Sequence, residues 1–273
     1  RFWPESPDIV IRMQVSTLLE NTAVNQVKKA EHFASLHVRG NPLVLFNIWD
    51  AGGAQAVDKA GAKALATGSW SVAAAHGFED GEVIPLDLVE IITRQICSTV
   101  ALPVSVDFEG GYAEAPSEVA ANVNRIIDAG AAGINFEDQV VKGDGLYDVS
   151  LQSERIAAIR ELATQRGVPF FINARTDLFL QAPPGADHAE LVDEAKARAA
   201  SYEEAGASGF FVPGLVDAAL IEDLCQHTSL PINIMMMDGA PSVSELAKLG
   251  VSRVSFGPSP YFELMNVLSQ QAR

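Results

Sequence analysis

The chain has 273 residues, of which 48% are hydrophobic, and its formal net charge is −16 because 35 Asp and Glu residues outnumber 19 Lys and Arg residues. This acidic balance argues against binding to nucleic acid or to an anionic membrane surface, since both require a basic patch. No apolar run approaches the roughly 18 residues of a membrane helix, and the two cysteines favour a reducing compartment, so we expect a soluble cytoplasmic protein.

The first predicted elements are an arm and a helix. Residues 1–20 read as an N-terminal arm, and the stretch from Asn21 to Leu36 predicts a helix that covers the bottom of the domain behind it. A repeated pattern follows in "KAGAKALAT" at Lys59–Thr67, "DAGAAGINFE" at Asp128–Glu137 and "EAGASGFFV" at Glu204–Val212. Each copy ends a helix with a glycine suited to left-handed backbone and then begins a short apolar strand.

The pattern predicts eight strands that alternate with helices over roughly 230 residues. The strands lie near Leu43–Trp49, Ala64–Thr67, Pro103–Asp107, Gly133–Glu137, Phe170–Arg175, Gly209–Val212, Ile232–Met236 and Arg253–Phe256, and helical stretches between them include Pro116–Ala129, Gln152–Arg166 and Asp187–Ala205. Eight strands that alternate with helices over this length are typical of an α/β fold, namely a single (β/α)₈ TIM-type barrel over residues 21–273. A doubly wound open sheet is the alternative, but "DAGGAQA" after the first strand is not the G-x-G-x-x-G turn that such sheets usually carry.

Polar side chains follow the C-terminal ends of the predicted strands, which is where a (β/α)₈ barrel places its active site. In chain order they are Asp50, Ser69, Trp70, Asp107, Glu109, Glu137, Asp138, Asn173, Arg175, Asp177 and Asn233. Asp50 is best explained as the N-cap of the helix that it precedes. None of the five histidines directly follows a strand, which argues against a Ser-His-Asp triad or a histidine-based zinc site and leaves His76 as a weak candidate.

The stretch "VDFEGGY" places two carboxylates side by side. Residues two apart in a strand share one face, so Asp107 and Glu109 repel each other unless a cation lies between them. With Glu137 from the neighbouring strand they suit a hard divalent cation with oxygen ligands, most simply Mg²⁺. The alternative is that Asp107 and Glu109 are solvated loop residues. Gly110 and Gly111 would let the backbone turn away and a ligand approach closely.

Six stretches, in this order and spacing, resemble the isocitrate lyase/phosphoenolpyruvate mutase superfamily from Asn21 onward. They are "NIWDAGGAQ", "TGSWSVAAAHGFEDGE", "VSVDFEGGY", "INFEDQ", "INARTD" and "RVSFGPS". The resemblance implies a barrel that requires Mg²⁺ or Mn²⁺ and that makes or breaks C–C or P–C bonds next to a 2-oxo acid or its enolate. It also implies that Asp107 is the direct metal ligand and that Glu109 and Glu137 hold the metal mostly through water.

The same resemblance assigns the substrate contacts. Ser69 and Trp70 match the segment that holds the C1 carboxylate of the substrate, and Asp80 in "FEDGE" matches an acidic residue near the reacting centre. Arg175 matches an arginine that pairs with substrate oxygens, a task suited to a planar guanidinium. Asn233, on the seventh strand, is a further candidate for substrate binding.

The segment after the fourth strand, "EDQVVKGDGLYDVS", departs from the better-known members of the superfamily. It has neither the cysteine nor the histidine of the isocitrate and 2-methylisocitrate lyases, which disfavours those activities. Gln139 and Asp144 replace the lysine and asparagine of the mutases and phosphonopyruvate hydrolases, and Pro213 stands where mutases have a phosphonyl-binding histidine. Mutase chemistry is therefore disfavoured too, and the remaining resemblance is to the branch that includes oxaloacetate decarboxylases.

These observations predict an Mg²⁺-dependent lyase that cleaves a C–C bond of a small 2-oxo acid through an enolate, as in oxaloacetate decarboxylation. The alternatives are an enzyme acting on P–C bonds of phosphonopyruvate-like substrates, a pyruvate aldolase and a non-catalytic 2-oxo acid binder. The loop Gln139–Val149 is predicted to close over the site, with Lys142 reaching the substrate as a catalytic residue. The resemblance also implies a homotetramer or homodimer that exchanges the last helix through Phe262, Met265 and Leu268.

Overall fold

The strands of the computed structural model are all parallel and follow one another around a ring. They are β1 (Leu43–Leu45), β2 (Asn47–Ile48), β3 (Leu65–Thr67), β4 (Val104–Asp107), β5 (Gly133–Glu137), β6 (Phe171–Arg175), β7 (Gly209–Phe211), β8 (Ile232–Met235) and β9 (Arg253–Ser255). Phe46 interrupts the first strand position, so β1 pairs with β9 and β2 pairs with β3. The nine segments therefore form a barrel of eight strand positions. This confirms the predicted (β/α)₈ fold and rules out the alternative, a doubly wound open sheet.

The structure describes residues 25–183 and 185–273, so the arm predicted over residues 1–20 and the first four residues of the helix predicted from Asn21 lie outside the described residues. The helices are α1 (residues 25–35), α2 (Ala51–Lys59), α3 (Ser69–Ala75), α4 (Leu86–Thr99), α5 (Pro116–Asp128), α6 (Val149–Gln165), α7 (Ala189–Glu204), α8 (Ala218–His227), α9 (Val243–Lys248) and α10 (Ser259–Gln271). A helix follows every strand position, and α3 is an additional short helix between β3 and α4. In the described part of the chain no helix is both long and apolar enough to cross a bilayer.

Local sequence explains where several helices begin and end. Asp50 caps α2 as predicted, because its Oδ1 accepts the N–H of Gly53 at 2.6 Å. Gly61, Gly130 and Gly206 follow α2, α5 and α7 with φ values of 91°, 102° and 98°. Residues with a Cβ rarely adopt this left-handed region, so the repeated glycine stops each helix and turns the chain into the next strand.

Two helix boundaries differ slightly from the prediction. Helix α6 begins at Val149, one turn before Gln152, because the Asp148 carbonyl accepts the N–H of Gln152 at 3.0 Å. Helix α7 covers Ala189–Glu204 within the predicted stretch Asp187–Ala205. The early start of α6 shortens the loop that precedes it, which matters for the predicted lid.

Helix α1 closes the N-terminal end of the barrel, as predicted. Phe33 is fully buried, and its ring lies 5.3 Å from that of Phe171, the first residue of β6. His37 stacks on the same Phe171 ring at 4.0 Å. The side-chain amide of Gln26 donates to the carbonyl of Ala131, just before β5, at 3.1 Å. This end is therefore plugged, and the opposite end of the barrel is the one left for a site.

The two cysteines pack within helices. Cys225 is buried in α8 and Cys97 is half-buried in α4. Burial raises the pKa of each thiol to about 12, so both stay protonated. They pack as small apolar side chains.

Candidate active site

The C-terminal end of the barrel carries an unusual backbone. Among the described residues, three that are not glycine have a positive φ, namely Glu82 (57°), Glu109 (48°) and Tyr112 (59°). This conformation is uncommon for residues with a side chain and persists only where surrounding contacts hold it. All three residues lie in the loops after β3 and β4, so backbone strain is concentrated at one part of the barrel rim.

Asp107, the last residue of β4, receives one hydrogen bond on each carboxylate oxygen. Its Oδ2 accepts the N–H of Ser69 at 3.0 Å, and its Oδ1 accepts the side-chain amide of Asn135 at 3.3 Å. Nη1 of Arg175 lies 4.0 Å from Oδ1. The Asp107 side chain is 12% exposed, so one edge of the carboxylate remains open to solvent at the rim.

Glu109 is oriented by a neighbouring loop and not by strand alternation, because β4 already ends at Asp107. Its Oε2 accepts the N–H groups of Gly81 and Glu82 at 2.9 and 2.7 Å. Burial, followed by the negative charge of Asp80 and then that of Asp107, raises the pKa of Glu109 to about 8. Asp107 and Glu109 line one cavity and their charges interact, but the loop after β3 orients Glu109, and not the shared strand face that the sequence predicted.

Arg175, the last residue of β6, lies at the centre of a buried cluster of ion pairs. Its Nε and Nη2 donate to the two carboxylate oxygens of Asp177 at 2.5 and 2.8 Å, and its Nη1 lies 3.0 Å from Oε2 of Glu137. Burial alone would lower the pKa of Arg175, but Glu137, Asp177 and Asp107 together hold it well above its ordinary value. Burial raises the pKa of Glu137 in spite of Arg175. The guanidinium is thus fixed in one orientation, with Nη1 toward the carboxylates.

Ser69 and Asp80 both reach the neighbourhood of Asp107. Ser69 begins α3, and its N–H donates to Asp107, whose charge in turn acts on Asp80. Loss of surrounding water, followed by the charge of Asp107, raises the pKa of Asp80, and Arg175 acts in the opposite direction. The structure therefore brings these two predicted site residues together with the carboxylates.

Trp70 and Asn233 are placed differently from the other predicted site residues. The ring of Trp70 packs on Tyr261 and Phe262 of α10, with centroid distances of 5.8 and 4.4 Å, so the ring faces that helix. Asn233 is fully buried in the barrel interior, where its amide donates to Ser255 Oγ at 3.2 Å. Its side chain is therefore not among those that the structure brings to the rim.

The charges at the rim are unequal. Six carboxylates gather there with two cations, and these groups are Asp80, Glu82, Asp107, Glu109, Glu137 and Asp177 against Lys142 and Arg175. Burial raises the pKa of Asp80, Glu109 and Glu137, and neighbouring carboxylates raise them further, whereas Arg175 acts in the opposite direction on Asp80 and Glu137 without cancelling the rise. A divalent cation bound to carboxylate oxygens would offset their mutual repulsion, and this donor set fits Mg²⁺.

The spacing of these groups favours a metal with few protein ligands. In the part of the chain that the structure describes, no three His, Cys, Asp or Glu side chains lie close enough to coordinate one ion directly. Mg²⁺ typically keeps several waters and takes one or two carboxylates from the protein. The roles that the resemblance implies, with Asp107 as the direct ligand and Glu109 and Glu137 acting through water, stay a prediction.

The predicted lid contains a short hairpin, which we call the lid hairpin (residues 139–146). Gln139 and Leu146 form an antiparallel bridge at its base. Val141 packs down on the loop after β4, because a Cβ added to Gly110 would lie only 2.9 Å from its side chain. The close approach that Gly110 permits in this structure is therefore that of the lid hairpin.

Lys142 lies at the tip of the lid hairpin and contacts the rim. Its Nζ is 3.5 Å from Oε2 of Glu82, and the lysine side chain is 70% exposed whereas that of Glu82 is 6% exposed. Glu82 also accepts the N–H of Tyr112 at 2.6 Å through Oε1. Beneath the hairpin these residues, with Tyr147, line a pocket of about 200 Å³.

Sequence reasoning gave no role to three residues of this rim. Glu82 stands two positions after Asp80 in the same quoted stretch, and Asp177 stands two positions after Arg175, which it clamps. Asn135 interrupts the otherwise apolar run of β5, and a buried amide in such a run signals a polar partner. Asp177 pairs with a residue two positions away, whereas the partners of Glu82 and Asn135 come from distant parts of the chain.

Asp138, one of the polar residues listed after the predicted strands, lies inside the protein. It is fully buried, and its Oδ2 accepts hydrogen bonds from Arg198 at 3.0 Å and from Tyr202 at 2.9 Å. Its Oδ1 accepts the N–H of Asp177 at 3.0 Å. Asp138 therefore supports the segment that carries the partner of Arg175.

The fold and the site define a (β/α)₈ barrel with several acidic residues and one fixed arginine at its C-terminal rim. Comparison with known proteins gives its family. The family model described as phosphoenolpyruvate phosphomutase matches residues 33–273. The chain therefore belongs to this family, within the isocitrate lyase/phosphoenolpyruvate mutase superfamily, whose members are lyases and mutases. This confirms the resemblance on which the site assignments rest.

Three relatives illustrate the range of this family. A Burkholderia cenocepacia structure provisionally described as a phosphonomutase is 46% identical, with a TM-score of 0.88 and a match covering 90% of this chain and 98% of that one. The 2-methylisocitrate lyase of Escherichia coli is 30% identical over 244 residues, covering 86% of this chain and 79% of the enzyme. The oxaloacetate decarboxylase of a Bradyrhizobium species is 29% identical over 191 residues, covering 68% and 62%.

A fourth comparison bears on the metal. A phosphonopyruvate hydrolase crystallised with oxalate and Mg²⁺ shares the fold at 21% identity, with a TM-score of 0.75 over 90% of this chain and 84% of that one. The Mg²⁺ belongs to that hydrolase, and the carboxylate donor set described above is of the kind that fits the same ion.

Proposed function

We propose that this protein is a divalent-metal-dependent lyase that cleaves a carbon–carbon bond of a small 2-oxo acid, with oxaloacetate decarboxylation as the leading reaction. The observation that carries the proposal is the excess of carboxylates around Asp107 beside one fixed cation, Arg175. An anionic substrate binds such a site only when a metal ion reverses the local charge. The relation to an oxaloacetate decarboxylase supports the choice of reaction.

Each residue of the site would have its own role in binding the metal or the substrate. Asp107 would hold Mg²⁺ directly, and Glu109 and Glu137 would accept hydrogen bonds from its waters. When bound, Mg²⁺ supplies Lewis-acid stabilisation of the negative charge that develops on the C2 oxygen of the substrate. Ser69 would bind the C1 carboxylate through its hydroxyl, since its N–H already donates to Asp107, and Arg175 would orient the second carboxylate.

The lid hairpin would complete the site. It already packs on Gly110, and its Lys142 lies 3.5 Å from Glu82 at the edge of the rim. In that position the lid hairpin would exclude water from the reacting carbon. The electrostatic interactions beneath the hairpin would then be stronger. The absence of the lyase cysteine from residues 139–148 leaves decarboxylation, which needs no acid on an organic leaving group, as the reaction that best fits this lid.

A second candidate function is action on the P–C bond of a phosphonopyruvate-like substrate. The observation that favours it is the 46% identity to the Burkholderia cenocepacia structure described as a phosphonomutase. Against it stand Gln139, Asp144 and Pro213, where mutases carry a lysine, an asparagine and a histidine. A pyruvate aldolase and a non-catalytic 2-oxo acid binder use the same metal and rim residues and remain alternatives to be separated by experiment.

A substrate panel tests the proposed function. Purified protein is incubated with oxaloacetate, 4-hydroxy-2-oxo acids or phosphonopyruvate, each with Mg²⁺ or with excess chelator, and released pyruvate is measured. Mg²⁺-dependent release from oxaloacetate above the metal-only rate is the expected result. Release only from 4-hydroxy-2-oxo acids would indicate an aldolase, and release only from phosphonopyruvate would indicate P–C chemistry. Binding of oxalate without turnover of any substrate would indicate a binder.

Replacing Lys142 with alanine is expected to lower turnover while leaving metal affinity nearly unchanged. A hydrogen bond from a charged group contributes about 1.5 kcal/mol or more, so the loss is expected to be about tenfold or greater. Steady-state kinetics and a Mn²⁺ titration on the same variant separate the two quantities. Lys59→Ala, at the exposed end of α2, is the matched control. Unchanged turnover in Lys142→Ala would show that the lysine is only solvated and would leave Arg175 as the cation acting on the substrate.

Assembly is a further part of the proposal, because the outer face of the first strand position lacks a cover among the described residues. Val44 and Phe46 point outward and are both 42% exposed, although helices normally cover the outside of such a barrel. They line an apolar groove of about 700 Å³ between α1 and α2. Helix α10 follows β9, the neighbour of β1, but it leaves its own apolar side chains Phe262 and Leu268 49% and 60% exposed. We propose that α10 of a second copy occupies the groove.

Light scattering at micromolar concentration is expected to show a dimer or tetramer. Leu268→Asp places a charge on the apolar side of α10 and is expected to shift the protein toward monomer, because a buried unpaired charge is strongly unfavourable. Gln270→Asp, on the same exposed helix, is the matched control. A wild-type protein that scatters as a monomer would contradict exchange of the helix.

A further inference from the structure

The interior of the barrel beneath the carboxylates is polar, although barrels of this type are normally filled by branched apolar side chains. Four side chains from four strands form one hydrogen-bonded group there. They are Asn135, Asn173, Asn233 and Arg253, and each is at most 4% exposed. The group lies directly under Asp107, because Asn135 donates to its Oδ1.

Arg253 is the charged member of this group, and burying its charge is unfavourable in free energy. It is fully buried, and burial lowers its pKa to about 9, with the charge of Asp107 acting in the opposite direction. Its Nε and Nη1 have no hydrogen-bond partner in the described part of the chain. Its one hydrogen bond to a side chain there runs from Nη2 to Oδ1 of Asn135, at 3.0 Å. Only that contact connects the buried charge to the rim.

The contact determines which way the Asn135 amide faces. A guanidinium can only donate hydrogen bonds, so the atom of Asn135 that faces Arg253 must be the oxygen. Oδ1 also accepts the amide of Asn173 at 2.9 Å. With its oxygen held by two donors, Asn135 has to present its NH₂ group to Asp107. The opposite orientation would set the amide oxygen against the carboxylate and repel it.

We propose that Arg253 is a positioning residue for Asp107 and acts through Asn135. The donor from Asn135 on Oδ1 and the Ser69 N–H on Oδ2 fix the plane of the carboxylate, and each oxygen keeps lone pairs for a metal ion. Partners behind a metal ligand orient it in this way in many metalloproteins. The inference rests on the proposed function, because it assumes that Asp107 binds a divalent cation.

The affinity for Mn²⁺, measured by calorimetry on the full chain, tests the proposal without relying on turnover. Arg253→Met keeps a similar length but removes every donor, and it is expected to weaken Mn²⁺ binding by about 10-fold to 100-fold, the range found for such supporting partners. Arg253→Lys keeps a donor and is expected to restore part of that loss. Arg160→Met is the matched control, because Arg160 is a half-buried arginine that donates to Gly206 and Ser208 at the opposite end of the barrel.

A double-mutant cycle distinguishes positioning from a general loss of stability. Asn135→Leu is expected to weaken Mn²⁺ binding about as much as Arg253→Met, and the double variant is expected to be no worse than either single variant, since both break the same chain of contacts. Additive losses, or unchanged affinity in Arg253→Met, would overturn the proposal. If Arg253→Met does not fold, the comparison of Arg253→Lys with Asn135→Leu decides, because the first should bind Mn²⁺ more tightly than the second. Failure of the wild-type protein to bind Mn²⁺ would instead overturn the proposed function.

Discussion

Replacing Asp107 with alanine is expected to abolish divalent-metal binding and to lower turnover by about 1,000-fold or more. The Asp107 carboxylate is 12% exposed at the rim while Ser69 and Asn135 hold its two oxygens. Lewis-acid stabilisation by a metal contributes several kcal/mol to such reactions, and each 1.4 kcal/mol corresponds to about a factor of ten in rate. Mn²⁺ titration and pyruvate release with Mg²⁺ in excess measure the two effects.

The fold should survive this substitution, because it removes one of several mutually repelling carboxylates. Circular dichroism and the urea midpoint in chelator are expected to match or exceed those of the wild type. Asp193→Ala removes a carboxylate that is 93% exposed on α7 and serves as the matched control. Wild-type turnover in excess chelator, or normal metal affinity in Asp107→Ala, would rule out the metal site.

The metal-free protein is expected to lose stability as the pH rises from about 5 to about 8. The pKa of Glu109 is about 8 in the fold against an ordinary value of 4.5, so between these values the folded state keeps a proton that the unfolded chain releases. Raising the pH therefore favours unfolding, and the contribution of Glu109 is present below pH 4.5 and lost as the pH passes 8. Glu137 acts in the same direction, because its pKa is also raised. Urea unfolding in chelator at several pH values measures the slope, expected to total a few kcal/mol.

Two comparisons identify the source of this slope. Glu109→Gln keeps an oxygen that can accept the N–H groups of Gly81 and Glu82 but cannot ionise, so it should flatten much of the pH dependence and weaken Mn²⁺ binding without unfolding the barrel. Saturating Mg²⁺ should also flatten it in the wild type, since a bound cation offsets the ionised carboxylates. Stability that stays constant or rises from pH 5 to pH 8 in chelator would contradict the assignment.

Local sequence determined the barrel because the signals for its elements act over a few residues. A glycine that must adopt positive φ, such as Gly130 or Gly206, ends a helix wherever the chain goes next. The apolar run of β5 needs cover on both faces, and a parallel sheet with helices outside it supplies that cover. Once eight such units are recognised, the topology places the ends of the strands at one rim. The location of Asp107, Glu137 and Arg175 followed from that rule alone.

Only the tertiary structure decided how those side chains are held. The N–H groups of Gly81 and Glu82 orient the Glu109 carboxylate. The stretch "VDFEGGY" contains neither residue and could not predict this contact. Arg253 meets Asn135 across 118 residues of sequence, and the contact exists only because both strands point these positions into the barrel. Hydrogen-bond partners of this kind depend on strand register and on which loops pack together, and both are set when the whole ring closes. The sequence by itself determined the elements and the rim, whereas the orientation of each carboxylate is a property of the closed barrel.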